Sequence, residues 1–360
     1  MSKLTLAILG HGTVGRSLAT LAQEEALGLN VKYILRRTAS ADDARVVTDF
    51  SQILADPEVS VIADALPGAQ PSYDYIRAAL AAGKGVVTAN KAAVAKDIGA
   101  LTALAKEKRV PLLFEASVGG GLPIIETIKR FKRTNCIDRV SGILNGTCNY
   151  ILDAMQTDGI SFETALKEAQ RLGYAEADPT TDISGMDVYN KAVIACSLAF
   201  GAPITAPFPV SGIVGVTAEL IEGLKRDGKS LRLMLLSRAT AGRYALGVVP
   251  VVLPASSPAG SLRKNLNLAE LHCSVRGPVN LIAQGAGGLP TADAMLEDLM
   301  NIRHHTYEEV TLDGSLQYDP SLLTGRAYLG GDVLATTLEN ACSIARVKGA
   351  FLAFEPDFQD

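Results

Sequence analysis

The feature that most constrains this chain is Gly10-His11-Gly12-Thr13-Val14-Gly15, which directly follows the apolar run Leu4–Leu9 and directly precedes a helical pattern. A strand that ends in GxGxxG and feeds a helix puts its glycines in three physically distinct positions. Gly10 makes the tight turn, Gly12 lets a pyrophosphate approach the backbone, and Gly15 lets helix and strand pack closely. Thr13 and Val14 open the helix whose N-terminal N–H groups would face the phosphates. The competing reading is a glycine turn in an α/β protein that holds no ligand. Roughly twenty residues on, where an acid would bond a ribose hydroxyl, stand Arg36 and Arg37. Two guanidinium groups suit a 2′-phosphate and favour NADP, with NAD still open; the alternative is a pair of solvated arginines at a strand end.

The following residues extend this pattern. Leu4–Leu9, Val31–Leu35, Val59–Ala65, Gly85–Thr88 and Val110–Phe114 read as strands, alternating with helical segments at Thr13–Leu27, Pro71–Ala82, Ala93–Lys108 and Leu122–Lys132. The strands are almost continuously apolar, as expected when both faces of a parallel sheet are covered. The expected fold is therefore α/β, with a Rossmann-type doubly wound parallel sheet over 1–132, completed by 288–305. Near Cys136–Tyr150 the texture changes. The chain then reads as mainly helical to about residue 240, and strand-like at 244–254 and 271–285, which predicts a second, α+β unit over 133–287. Pro290–Arg303 and Val333–Lys348 read as helices, and 306–360 forms an extension of unknown role.

A chain of 360 residues, 48% apolar and 20% charged, has ample material for two folded units and little for disorder. A net charge of −4 without a basic run excludes nucleic acid and anionic membrane as natural partners and points to a small molecule. The N-terminus has no signal-type segment and no apolar stretch approaches bilayer length, so a cytoplasmic protein is expected. The five cysteines are scattered without CxxC or Cys/His spacing, which indicates reduced packing residues and no zinc site.

A second constellation runs from Gly173 to Lys191. Ser184 followed by Asp187 has the form of a capping box that opens a helix. On that helix Asp187 and Lys191, four residues apart, share a face. An exposed pair at this spacing is an ordinary surface ion pair. The following stretch, Ala192–Phe200, is apolar on every face, however, so the helix is expected to be buried and its charged pair to be in use. Glu176, Asp178 and Asp182 add carboxylates suited to an amino acid's ammonium group.

In this order, the chain resembles the homoserine dehydrogenase family. The resemblance rests on Gly10–Gly15, Thr88–Lys91, Glu115–Pro123, Gly142–Ile151, Gly173–Lys191 and Gly285–Ala292. It implies NAD(P)-dependent interconversion of L-homoserine and L-aspartate 4-semialdehyde, a step in threonine, methionine and isoleucine biosynthesis, carried out by a homodimer built around the second unit. It implies that Lys191 is the acid/base, oriented by Asp187, and that Lys91 contacts cofactor and substrate. Glu176 matches the carboxylate for the substrate ammonium, with Asp182 and Thr147 lining the same pocket. Gly173 and Gly287 match positions near the cofactor. Glu115, with the carbonyls of Val118, Gly120 and Leu122, matches a loop for a monovalent cation, usually sodium. Hydride transfer to an aldehyde develops negative charge on its oxygen, which a lysine can offset and protonate. Burial would lower such a lysine's proton affinity and Asp187 would raise it. The segment 304–360 is too short for the C-terminal ACT regulatory module of many members, so threonine feedback is not expected. A specialised paralogue acting on a related amino aldehyde and a non-catalytic NADP-binding sensor are the alternatives.

Overall fold

The computed structural model describes residues 3–40 and 42–357, which divide into two compact units. Of the described residues, the first takes those within 3–129, 201–203 and 286–313. Among its described residues, six strands run through it: Leu4–Leu9 (β1), Leu29–Leu35 (β2), Val46–Val47 (β3), Val61–Asp64 (β4), Gly85–Thr88 (β5) and Leu112–Leu113 (β6). All pair in parallel in the order β3-β2-β1-β4-β5-β6. This is the dinucleotide-binding order, with its reversal between β1 and β4. Leu6, Ile8, Ile34, Val61, Ala63 and Val87 form a core with Leu18 and Ala19 of helix Thr13–Leu21 and with Met295, Leu299 and Ile302 of helix Gly288–His304. Leu6, Ala7, Ile8 and Leu9 have no exposure, which explains the continuous apolar run in the sequence.

Two of the expected helices are revised. The pattern over Thr13–Leu27 ends as an α-helix at Leu21, and a 3-10 turn over Glu25–Leu27 leads to β2. The stretch expected as one helix over Ala93–Lys108 is two, Lys91–Lys96 and Ile98–Lys108. Asp97 divides them with φ −163°, outside the helical region, and its carboxylate caps Ala100 N at 2.9 Å.

The second unit takes residues 130–200, 204–285 and 314–357. Its described strands are Ile137–Ile143 (β7), Lys229–Thr240 (β8), Arg243–Pro254 (β9), Leu266–Cys273 (β10), Gly277–Gln284 (β11), Gln317–Tyr318 (β12), Thr324–Leu329 (β13), Asp332–Thr337 (β14) and Leu352–Pro356 (β15). They form one mixed sheet in the order β11-β10-β7-β8-β9-β15-β13-β14, with β12 also on β9. Helices Gly146–Asp158, Phe162–Arg171, Met186–Phe200 and Ala218–Arg226 belong to the same unit.

β8 corrects the expectation of helix up to about residue 240. Leu231–Leu236 is rich in helix formers, yet β8 pairs with β9 from Lys229↔Pro254 to Thr240↔Arg243. A two-residue turn joins them, with φ +47° at Ala241 and +78° at Gly242. Positive φ at both central residues matches the twist of a tight hairpin, and the pairing overrides local propensity. The expected helix Val333–Lys348 is likewise half strand. Gly330 and Gly331, both at positive φ, turn the chain into β14, and Thr337 caps the shorter helix Leu338–Lys348 by accepting from Asn340 N. The tail is thus part of the second sheet: Ala327, Leu329, Leu338 and Phe354 share a core with Met234, Val249 and Val251.

Candidate active site

The centre of the second unit is helix Met186–Phe200, nearly all of whose residues from Asp187 to Ala199 are buried. Ser184 does not cap it. It closes the short preceding helix Thr180–Ile183, and Gly185, at φ +88°, separates the two. The capping-box reading fails because the Asp187 carboxylate is engaged elsewhere. Lys191 Nζ donates to Asp187 Oδ2 at 2.7 Å and to Leu144 O at 2.6 Å. With 4% and 7% exposure for Asp187 and Lys191, this is a buried pair.

The opposing wall comes from the end of β7. Asn145 follows that strand and caps helix Gly146–Asp158, its Oδ1 accepting from Cys148 N at 2.8 Å. Its Nδ2 donates to Asp182 Oδ1 at 2.7 Å and to Asp187 Oδ2 at 2.9 Å. Cys148 Sγ donates to Asp182 O, and burial together with Asp182 and Asp187 pushes its thiol well up, so it stays protonated. Thr147 Oγ1 donates to Tyr174 O at 2.6 Å and so holds the loop that carries Gly173 and Glu176. Gly173 sits at φ +76°. Glu176 is exposed, its main-chain oxygen accepting from Gln170 Nε2, and Asp178 Oδ1 accepts from Thr180 N. The structure therefore gathers Lys191, Asp187 and Asp182 around Asn145, places Thr147 beside them, and leaves Glu176 on the loop surface. The Leu144 carbonyl and the Asn145 amide were missed as functional groups. Their signal was an Asn between a strand and a helix, an N-cap position.

In the first unit, Gly10 turns at φ +92° beside Ala65, where the strand order reverses. A Cβ on Gly15 would stand 2.1 Å from Gly10 O, so only glycine lets this helix approach the turn. A Cβ on Gly12 would meet nothing within 4 Å, and no side chain caps helix Thr13–Leu21. Open space over Gly12 and the uncapped N–H groups at Thr13 and Val14 fit a pyrophosphate. Lys91 is half-buried at the start of its helix, just past β5. Asn90 fixes that start, capping Ala93 N while its amide donates to Leu66 O and Gly68 O. Gly287, at φ +135°, precedes helix Gly288–His304, which approaches Thr13 so closely that a Cβ on Gly288 would lie 2.6 Å from it.

Arg36 is half-buried at the end of β2 and Arg37 is exposed. Burial, then the charges of Arg36 and Arg16, lower the proton affinity of His11. The nearby carboxylate, Asp43, is bonded to Arg45 at 2.8 and 2.9 Å and held down to about 2, so its charge is already matched.

Glu115 points neither to solvent nor to an arginine. Its carboxyl accepts from Ile125 N at 3.0 Å and Glu126 N at 2.7 Å, at the start of helix Ile124–Lys132. Burial, then Asp298, push it up to about 8. Leu122 O accepts from Ile124 N. Among the described residues no three His, Cys, Asp or Glu side chains group to hold a metal ion.

Comparison with known proteins bears on this arrangement. The family model "Homoserine dehydrogenase, NAD binding domain" matches residues 10–115, and "Homoserine dehydrogenase" matches 123–300. The chain belongs to the homoserine dehydrogenase family. It is 35% identical over 318 residues to the homoserine dehydrogenase of Corynebacterium glutamicum, covering 83% of this chain and 72% of the relative. The Pseudomonas aeruginosa homoserine dehydrogenase is 31% identical over 343 residues, covering 91% and 79%. The crystal structure of a homoserine dehydrogenase from Thiobacillus denitrificans superposes with TM-score 0.86 at 27% identity over 99% of this chain and 98% of that one. That match takes in the C-terminal strands. A hyperthermophilic archaeal homoserine dehydrogenase in complex with NADPH superposes with TM-score 0.74 at 26% identity, over 86% of this chain and 99% of that one. No helix among the described residues is long and apolar enough to cross a membrane.

Proposed function

We propose that this chain interconverts L-homoserine and L-aspartate 4-semialdehyde with NADP(H), as a step towards threonine, methionine and isoleucine. The observation that carries the reading is the buried Lys191, bonded to Asp187 and the Leu144 carbonyl in a chain that also carries a dinucleotide-type sheet. An ammonium has three N–H donors, and a lysine oriented by such bonds is a directed donor for a substrate oxygen. In the oxidation direction neutral Lys191 takes the alcohol proton; in reduction its ammonium returns that proton to the developing alkoxide. Asp187 fixes the lysine's orientation. Asp182, with Glu176 from the adjoining loop, binds the substrate ammonium, Thr147 secures that loop, and Lys91 contacts substrate and cofactor. The nicotinamide, when bound, supplies or accepts the hydride. Gly10, Gly12, Thr13, Val14 and Gly15 would hold its pyrophosphate, Arg36 and Arg37 its 2′-phosphate, with Gly173 and Gly287 near it.

The proposal extends to a cytoplasmic homodimer formed through the second unit; its support is the outer strand β11, every residue of which keeps some exposure. It extends also to a monovalent cation at Glu115 and the carbonyls of Val118, Gly120 and Leu122. The support there is the burial of the Glu115 carboxyl, an oxygen donor of the kind that hard cations favour.

The test is absorbance at 340 nm with L-homoserine and NADP or NAD. Homoserine-dependent reduction of the nicotinamide, faster with NADP than with NAD, is expected. Turnover only with another amino alcohol would mark a specialised paralogue, and NADP binding without turnover of either would mark a sensor.

A further inference from the structure

We propose that Asn145 is a positioning residue of the reaction, whose amide holds Asp182 and Asp187 together and thereby sets both the seat of the substrate ammonium and the hold of Lys191 on its proton. The proposal rests on the assignment of proton transfer to Lys191. Asn145 is 4% exposed, and each of its polar atoms is committed. Oδ1 is tied to Cys148 N at the cap of helix Gly146–Asp158. The amide cannot flip without putting donors against that N–H, so both hydrogens of Nδ2 face the acids, at 2.7 and 2.9 Å. A side chain with one acceptor and two donors on a planar fork meets this demand, whereas Ser offers a single donor and Asp none.

The shared oxygen makes the amide matter for chemistry. Asp187 Oδ2 accepts from both Asn145 and Lys191. A hydrogen bond from a neutral amide spreads the carboxylate's charge and weakens its grip on the lysine's proton. Leu144 O, which also accepts from the lysine, belongs to the adjacent residue, so the end of β7 positions the base from two sides. Asp182 is held from the same nitrogen, so losing the amide loosens the ammonium seat too.

Two variants separate this role from simple capping. Asn145→Asp keeps the capping oxygen, removes the donors and adds a carboxylate next to the Lys191–Asp187 pair. Asn145→Ser keeps an N-cap oxygen and loses the forked donation. Each is compared with wild type and Lys191→Met for homoserine oxidation across pH, KM for homoserine, KM for NADP and melting temperature. In Asn145→Asp the acid limb of the kcat/KM profile should move up by about one pH unit or more, the effect of an added opposite charge on a neighbouring lysine. In Asn145→Ser, KM for homoserine should rise about tenfold, as expected when buried acceptors lose their donor, while KM for NADP stays within about twofold. An unshifted profile and unchanged KM for homoserine in both, beside an inactive Lys191→Met, would overturn the Asn145 proposal alone. Normal turnover in Lys191→Met would remove the reading on which it rests.

Discussion

Lys191→Met separates chemistry from stability, because the structure makes the lysine part of a buried ion pair. Lys191 and Asp187 side chains are 8% and 5% exposed and 2.7 Å apart. Removing one partner of such a pair leaves an uncompensated buried charge and costs about 3–5 kcal/mol. Asp187 keeps its bond from Asn145, so a loss near 3 kcal/mol is expected. At about 2–4 °C per kcal/mol for a unit of this size, melting should fall by roughly 6–12 °C. Replacing both partners, Lys191→Met with Asp187→Leu, should recover most of the loss, since apolar residues of similar volume remove the stranded charge. Turnover should not recover: without the proton carrier it falls by about two orders of magnitude or more. Lys191→Arg should fail almost as badly, because guanidinium does not release a proton near neutral pH. The assays are NADPH formation and thermal unfolding of all four proteins. Near-normal turnover in Lys191→Met would refute the acid/base assignment, and a melting loss that the double variant does not recover would refute the ion-pair account.

Two further outcomes follow from the first unit. Replacing Arg36 and Arg37 by Ala should raise the KM for NADP much more than that for NAD; equal effects would remove them from the 2′-phosphate. Glu115 and Asp298 are pushed up to about 8 and about 7, chiefly by burial, so the folded chain keeps protons that the unfolded chain has released. Stability should therefore decline as pH rises from about 4 to about 8, and Asp298→Asn should flatten that decline in thermal unfolding; an unchanged slope would contradict the assignment. Sodium chloride in place of choline chloride should raise melting at pH 8 by binding ionised Glu115, and no difference would remove the cation from the proposal.

What the sequence made legible follows from the range of the interactions. The first sheet could be read because its strands are covered on both faces and betray themselves as apolar runs. The fingerprint could be read because Gly10 and Gly15 answer local demands, a positive φ and a close approach. Asp187 and Lys191 share a face through helix spacing alone. Asn145 and Leu144 O reach the same oxygen and nitrogen across 42 and 47 residues, which no local pattern encodes. β8 escaped because Leu, Arg and Met favour helix and only pairing with β9 makes them a strand. The tail escaped because β13, β14 and β15 acquire their meaning from a sheet whose central strands lie far back in the chain.

The central claim is that Lys191 handles the proton of an amino acid's side-chain alcohol, and a crystal structure with NADP and L-homoserine bound tests it most directly. The homoserine hydroxyl is expected within about 3 Å of Lys191 Nζ, the reach of proton transfer, and its ammonium on Asp182 or Glu176. Homoserine bound with its hydroxyl on another group, and Lys191 still closed on Asp187 and Leu144 with no contact to the ligand, would contradict it.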